Sequence, residues 1–395
     1  MKDEVAGLLT RAVAVTLGAQ AMVVLASLMV PLVATLALPA LGVPEHRLGW
    51  YASLLFAAGA AATLATPPLV ARWGAVRVHQ AMLLLGALGL VALASGQPFV
   101  SALLIGLAYG PANPASSALL SRLSPSRLRN RVFSLKQVAV PLGGALAGLV
   151  IPWLALRLGW APAALALGAA LAAAACLAQL WQQRLDRGGS SSALEWLAPL
   201  HALRAGGPAL RLGAAALCFA AVQFTFSAFL PSVLVGVAGW SVAAAGVTLT
   251  LALLVSIGAR LMLGWVADRI AASWVLAGLG VLMAVACGLS TRIAPEMPAG
   301  LAYTVAALFG FAAFGWNGIC LAETARLAAP GRVAAATAGT MLMVYAGATL
   351  GPALFSAALA TRLGTPGGFV LLALFALSPL TWLRVHPPAE RTPGP

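Results

Sequence analysis

The chain has 395 residues, of which 62% are hydrophobic and only 8% are charged, and its mean hydropathy is +0.97. A soluble domain carries about 25% charged residues, so this composition excludes a water-soluble globular fold. The net charge of +14 does not indicate nucleic-acid binding, because the basic residues are placed to orient the chain in a membrane. The sequence therefore predicts an all-α polytopic membrane protein.

Twelve apolar stretches are each long enough to cross the hydrocarbon layer of a bilayer, about 30 Å. We number them spans 1 to 12, and they are predicted at 11–37, 49–70, 77–95, 98–120, 133–156, 160–181, 209–236, 241–265, 273–291, 299–322, 333–358 and 366–384. If the N-terminus is cytoplasmic, eighteen of the 23 Lys and Arg residues fall on the cytoplasmic side and four on the other side. This positive-inside bias predicts a protein of the cytoplasmic (inner) membrane with both termini in the cytoplasm. The N-terminal residues lack a signal-peptide cleavage site, so span 1 is expected to be retained.

A polar segment at 182–208, with a Gly/Ser cluster and several charges, interrupts the apolar pattern. It predicts a cytoplasmic linker between two six-span domains, 1–181 and 209–395. Residues of the first half recur in the second at nearly constant offsets. The clearest matches are Arg11, Ser27 and Pro31 with Arg211, Ser227 and Pro231, and Gly106, Asn113 and Arg122 with Gly310, Asn317 and Arg326. Two parallel six-helix repeats imply a pseudo-two-fold axis along the membrane normal.

The segment GARLMLGWVADRIA, residues 258–271, lies between spans 8 and 9. It resembles the signature loop of the major facilitator superfamily, with Gly264, Asp268 and Arg269 in the expected places. The resemblance covers essentially the whole chain. It implies two pseudo-symmetric six-helix bundles, no enzymatic activity, and secondary transport by alternating access.

The segment PPLVARWGAVRV, between spans 2 and 3, is the expected first copy of this loop. It keeps Arg72 and Gly74, but Ala71 stands where the family has an acid. The resemblance also implies that the acid of the second copy meets the ends of spans 10 and 11 as an inner latch. The latch residues are predicted to be Asp268, Arg269, Glu323, Arg326, Arg332, Arg72, Gly74 and Gly264. Glu323 is alternatively a proton-coupling carboxyl, although an acid paired with arginines is better suited to a latch.

Two positive charges lie within or at the edge of the apolar spans. Arg260 precedes Asp268 by eight residues, about 12 Å of helix, and a charge at that depth needs a water-filled cavity or a partner. An arginine at this place in span 8 resembles the monocarboxylate and oxalate–formate branches of the superfamily, where it is associated with carboxylate binding. The alternative is a salt bridge to Asp268. Lys136, one of two lysines in the chain, is predicted either to bind substrate or to anchor span 5 at the interface.

Further polar side chains lie in spans 1, 4, 7 and 10, which line the cavity in the implied fold, and in span 11. They are predicted to shape the substrate site or to form hydrogen bonds between helices. These residues are Gln20, Gln223, Asn113, Asn317 and Tyr345.

The spans carry no paired carboxylates, the four cysteines have no metal-ligand spacing, and the histidines fall in loops or at span ends. No cofactor and no metal are therefore expected. Two buried cations without an acid near mid-membrane predict a small anionic substrate, most simply an organic carboxylate. A proton or a counter-substrate is the possible coupling partner, the lipid bilayer is the surroundings, and a monomer is expected.

Two other functions stay open. Efflux of lipophilic, drug-like compounds is one, and the aromatic residues that would line such a pocket are Phe219, Phe224, Phe226, Phe229 and Trp316. The other is a non-transporting membrane sensor or assembly factor on the same scaffold.

Overall fold

The computed structural model of the chain describes residues 2–125, 132, 135–186, 207–267, 269–328 and 333–383. All regular structure in these ranges is helical. The α-helices are Lys2–Ser27, Met29–Ala40, Leu48–Trp73, Ala75–Ala94, Pro98–Tyr109, Ala112–Leu123, Ala139–Leu158, Trp160–Leu185, Gly207–Gly236, Val242–Ala267, Ala272–Ser290, Ala299–Leu327, Val333–Leu359 and Gly364–Leu377, with short 3-10 helices at Glu45–Arg47 and Ser378–Thr381.

Eleven segments of the described part of the chain are long and apolar enough to cross a membrane. They correspond to the predicted spans except span 4, which is present but divided into two shorter helices. The all-helical, polytopic architecture predicted from the sequence is therefore confirmed. Most of the predicted linker lies outside the described residues.

Two prolines divide span 4. Pro111 and Pro114 lack the N–H that would donate to the carbonyl four residues earlier. For Pro114 that carbonyl belongs to Gly110. Thr63 Oγ1 of span 2 lies 2.9 Å from it and shares its single hydrogen between this carbonyl and that of Gly59, at 2.8 Å. A side chain on Gly110 would collide with the backbone of span 2, so glycine is required for this close approach. The interruption comes directly before Asn113.

Span 1 is also interrupted near its middle. One helix ends at Ser27 and the next begins at Met29, and Val33 has φ −117° and ψ 17°, outside the helical region. Pro31 contributes because it has no N–H for the carbonyl of Ser27. Spans 1 and 4, which carry two of the predicted substrate-binding residues, are thus both broken helices.

Matched glycines pack span 5 against span 1 and span 11 against span 7. A Cβ atom on Gly143 would lie 2.7 Å from Ala21 Cα, and one on Gly351 would lie 2.7 Å from Ala221 Cα. The two alanines are 200 residues apart, which is the offset that relates span 1 to span 7 in the sequence. The same close helix contact therefore occurs in each half of the chain.

The helices group into two compact units. One lies within Met1–Trp196 and Ser227–Leu253, and the other within Leu197–Phe226 and Leu254–Pro395. The division of the sequence into domains 1–181 and 209–395 stays a prediction.

The first unit includes the beginning of span 8 because this segment packs tightly against span 5. Thr250 Oγ1 donates to the Ala145 carbonyl at 3.0 Å. Beside this bond, a Cβ atom on Gly246 would overlap the carbonyl oxygen of Gly148. The two glycines allow the helix backbones to touch, and the hydroxyl bond fixes their register.

Candidate functional site

Lys136 is buried in the first unit, with 2% of its surface exposed. Its Nζ donates a hydrogen bond to Asn113 Oδ1, which comes from the second helix of span 4. The only ion pair among the described residues joins Arg326 to Glu323, so Lys136 has no acidic partner within that part of the chain. An interfacial anchor would place the ammonium at the protein surface, whereas this ammonium points inward onto a neutral amide.

The break in span 4 places Asn113 opposite Lys136. Asn113 lies in the first turn of the helix that restarts at Ala112, and its side chain is half-buried. The N-terminus of a helix carries partial positive charge, and this adds to the charge of the nearby ammonium. Both contributions favour an anion in this region.

His79 lies one turn into span 3 and is fully buried in the same unit. Its Nδ1 is 2.7 Å from the Ala75 carbonyl oxygen, and its Nε2 is 3.0 Å from Ser116 Oγ. Ser116 follows Asn113 by three residues, so both side chains lie on one face of the span 4 helix. Lys136 is close enough to act on His79 electrostatically.

Asp186, at the end of span 6, binds the beginning of span 3. Its carboxylate accepts from the backbone N–H of Val76 at 2.9 Å and of Arg77 at 3.3 Å, and from Gln182 Nε2 at 3.1 Å. These contacts satisfy N–H groups that a helix start leaves without intrahelical partners. An acid from span 6 therefore holds the loop in which Ala71 replaces the expected acid.

Gln20 of span 1 is also buried in the first unit, with 2% of its surface exposed. Its Oε1 has no hydrogen-bond partner among the described residues. The next residue, Ala21, contacts Gly143, which lies seven residues after Lys136 on the same face of span 5. Gln20 is thus about two helical turns from the Lys136 site.

The second unit contains a separate polar cluster between spans 7 and 10. Gln223 Oε1 accepts from Trp316 Nε1 at 3.1 Å and from Asn317 Nδ2 at 3.0 Å. Gln223 and Trp316 are buried, and Phe219 packs on the Trp316 ring with centroids 5.8 Å apart. Two predicted site residues, Gln223 and Asn317, are therefore hydrogen-bonded to each other. Trp316, which the sequence analysis considered for drug binding, donates to the same Gln223 oxygen.

Arg260 and Tyr345 lie elsewhere in this unit. Arg260 is half-buried in the helix Val242–Ala267, and Tyr345 is 8% exposed in span 11. Their predicted contacts with substrate stay predictions.

Comparison with known proteins identifies the fold. Residues 14–352 match the family model described as Major Facilitator Superfamily. The chain belongs to this superfamily. Its structure is similar to that of a bacterial homologue of the human lysosomal transporter Spinster, inward-facing and unoccupied, with a TM-score of 0.73, 15% identity and 95% of each chain covered. It is also similar to the nucleoside transporter NupG, with a TM-score of 0.75, 15% identity, and 95% of this chain and 98% of that chain covered.

No curated protein sequence matches the chain. The family and the fold nevertheless make it a multi-pass membrane protein of the secondary-transporter class. The resemblance seen in the signature loop is confirmed.

The predicted inner latch of this major facilitator is described only in part. Arg326 pairs with Glu323 of its own helix, with Nε to Oε2 at 2.8 Å and Nη2 to Oε1 at 2.5 Å. Arg269 lies over the Trp265 ring, 3.5 Å from its centroid, and donates to the Trp265 carbonyl at 3.1 Å. Asp268 lies outside the described residues, so the latch stays a prediction.

The other latch residues are placed as follows. Arg332 lies outside the described residues, Gly264 is in the span 8 helix, and Arg72 is exposed at the end of span 2. Gly74 immediately precedes the span 3 helix, with φ 90°, and lies against Asp186.

Sequence reasoning missed His79 and Asp186. His79 was placed at a span end, yet it shares the buried face of its helix with Val76 and Leu83, at spacings of three and four. That periodicity was the available signal. Asp186 follows the last residue of the helix Trp160–Leu185, where nothing in the sequence relates it to a loop more than 100 residues earlier.

Proposed function

We propose that this major facilitator transports a small anion, most favourably an organic carboxylate, by alternating access. We further propose that it lies in the cytoplasmic membrane with both termini cytoplasmic and acts as a monomer. The main support for an anionic substrate is the buried ammonium of Lys136, which is hydrogen-bonded to the neutral amide of Asn113.

A buried charge is costly unless it is paired, and in proteins it is normally matched by an opposite charge or a metal. Lys136 meets only the Asn113 amide oxygen among the described residues. An amide dipole offsets part of the desolvation cost, and a full negative charge would offset more. A substrate anion supplies that charge during transport and then leaves, as a permanent acid could not.

The shape of the cation is consistent with a small anion. Lysine presents a compact point charge with three donors, whereas arginine presents a planar fork. One donor of Lys136 is used by Asn113, so two are left for ligand oxygens. A carboxylate has two oxygens that can accept these hydrogen bonds. Arg260 stays a separate proposed contact with substrate.

The aromatic residues that favoured drug efflux are largely accounted for by packing. Phe226 and Phe309 stack with centroids 3.7 Å apart, Phe219 packs on Trp316, and these four rings are each at most 1% exposed. Because these rings are buried by packing between helices, their presence does not indicate a drug-binding pocket. Efflux is therefore retained only as an outcome of the test below.

The test is thermal stability of the purified protein in detergent with four probes: L-lactate, succinate, sulfate and tetraphenylphosphonium. A ligand at 100 times its dissociation constant stabilises the folded state by about 2.7 kcal/mol. We expect one of the anions to stabilise the wild type and to lose this effect in Lys136→Met. Arg184→Met, which removes an exposed cation from span 6, is the matched control and should keep it.

A stabilising anion is then tested as a radiolabelled counterflow substrate in proteoliposomes. Stabilisation by tetraphenylphosphonium alone would reject the anion proposal in favour of efflux. Anion binding without counterflow would favour the sensor or assembly-factor function.

A further inference from the structure

We propose that His79 takes up a proton when the anion binds, so that the protein is a proton–anion symporter. This inference rests on the proposed function, because the anion supplies the negative charge that admits the proton. It is carried by the hydrogen bonds around the imidazole and by the position of Lys136.

The contacts of His79 fit a doubly protonated ring. Nδ1 faces the Ala75 carbonyl, which only accepts, so Nδ1 must carry a hydrogen. Nε2 faces Ser116 Oγ at 3.0 Å, while that hydroxyl donates its single hydrogen to the Ala112 carbonyl at 2.5 Å. All three contacts are hydrogen bonds only if Nε2 also donates, as it does in imidazolium.

The same site also accepts the neutral ring. If Nε2 loses its proton, the Ser116 hydroxyl can rotate from the Ala112 carbonyl and donate to Nε2 instead. Each protonation state of His79 therefore has a complete set of partners. A buried residue with this property can gain and lose a proton without leaving an unsatisfied polar atom.

Two charged groups act on His79 from neighbouring helices. They are Lys136 of span 5 and Asp186 at the end of span 6. Asp186 is itself bound by the span 3 N–H groups and by Gln182, so its charge is already shared. The other described cations at the cytoplasmic ends of the packed helices are exposed or half-buried, namely Arg11, Arg72, Arg77, Arg122 and Arg184.

The coupling follows from charge. Without substrate, a proton on His79 adds a second buried positive charge beside Lys136, and the two repel each other. An anion on Lys136 removes that repulsion, so it promotes protonation of His79. By linkage, the proton promotes anion binding to the same extent.

In the sequence analysis the candidate for a proton-coupling role was Glu323. That carboxylate is 21% exposed and accepts two hydrogen bonds from Arg326 of its own helix. Glu323 is thus held by an arginine of its own helix. His79 is the better placed of the two.

The first measurement is anion affinity against pH, from thermal stability of the detergent-purified full chain with L-lactate and with succinate. Over the range of about pH 5 to 8 in which histidine changes charge, we expect wild-type affinity to fall as pH rises, by at most about tenfold per pH unit for one linked proton. His79→Gln keeps a polar side chain but cannot become charged, so its affinity should be lower and should not show this slope. His46→Gln, from the loop between spans 1 and 2, should behave like the wild type.

The outcomes separate the two proposals. If an anion stabilises the wild type but its affinity has the same pH slope in His79→Gln, the symport inference is wrong and the anion transporter stands. If neither anion binds at any pH in this range, both are rejected for carboxylates.

A second measurement covers the case in which His79→Gln does not fold. In a variant with His46, His201 and His386 replaced by Gln, the remaining histidine is observed directly by nitrogen-15 NMR. We expect the stabilising anion to shift its signals from the neutral to the doubly protonated pattern at a pH where the anion-free ring is neutral. Signals that do not respond to the anion at any pH would overturn the inference.

Discussion

Gly74 and Gly159 form a matched pair for testing the role of Asp186. Each glycine precedes a helix, and their backbones are nearly identical, with φ 90° and ψ 157° for Gly74 and φ 90° and ψ 159° for Gly159. Their surroundings differ. A Cβ atom on Gly74 would lie 2.6 Å from Asp186 Oδ2, whereas the nearest atom to one on Gly159 is Pro162 Cδ at 3.7 Å.

The two alanine substitutions should therefore differ in cost. This backbone region is nearly restricted to glycine, and another residue there costs about 1–3 kcal/mol, which is the whole expected loss for Gly159→Ala. Gly74→Ala adds displacement of Asp186 from the start of the span 3 helix. Loss of such a cap costs about 0.5–2 kcal/mol, so the total is about 1.5–5 kcal/mol.

The assay is thermal unfolding in detergent, followed by the fluorescence of the 11 tryptophans. Both variants should melt below the wild type, and Gly74→Ala should melt lowest. Asp186→Ala alone should lose the cap, and the double variant Gly74→Ala/Asp186→Ala should lose less than the sum of the two, because one cap cannot be lost twice. Equal losses at the two glycines, or strict additivity, would refute the role given to Asp186.

Two further predictions concern helix contacts in the same assay. Thr63→Val leaves the Gly110 carbonyl without its donor and should destabilise the protein by about 0.6–1.7 kcal/mol, while Thr304→Val, at an exposed hydroxyl bonded only within its own helix, should be nearly neutral. Gly246→Ala forces spans 5 and 8 apart and should destabilise by more than about 1 kcal/mol. Gly258→Ala, where a Cβ atom meets nothing within 4 Å, should be neutral or slightly stabilising. Equal effects within either pair would contradict the contact concerned.

The number, type and approximate limits of the helices were predictable because membrane spans are fixed by length and hydropathy, which are local properties of the sequence. The break in span 4 was not predicted, although Pro111 and Pro114 are visible in it. Prolines occur inside other spans without dividing them, for example Pro152 in span 5 and Pro231 in span 7. Whether a proline breaks a helix depends on what satisfies the freed carbonyl, and that is a tertiary contact.

The candidate site was predictable as a set of residues but not as an arrangement. Lys136 and Asn113 were both selected from the sequence, yet their hydrogen bond joins helices separated by a loop that hydropathy does not orient. Gln223 and Asn317 were selected in the same way, but neither their direct hydrogen bond nor the donation of Trp316 to the same Gln223 oxygen was predicted. Polar and charged residues, which are costly to place in a membrane, can be recognised in the sequence. Which residues they contact depends on how each helix is rotated about its axis, and the sequence does not show that rotation.

Comparison of the two halves of the internal repeat distinguishes residues that support the shared fold from residues that occur in one half only. The glycine contacts of Gly143 and Gly351 occur in both halves, as expected for a shared scaffold. His79 and Ser116 do not recur: at the signature-loop offset of 197 His79 corresponds to Leu276, and at the span 4 offset of 204 Ser116 corresponds to Cys320.

Leu276 and Cys320 are each 1% exposed, so the corresponding positions are buried in both halves. The second half fills them with apolar or weakly polar side chains, which are cheaper to bury. The first half instead places an imidazole and a hydroxyl there, in reach of the ammonium of Lys136. A helix contact does not require a titratable group at these positions, so its presence in one half alone supports the proposed proton and anion binding.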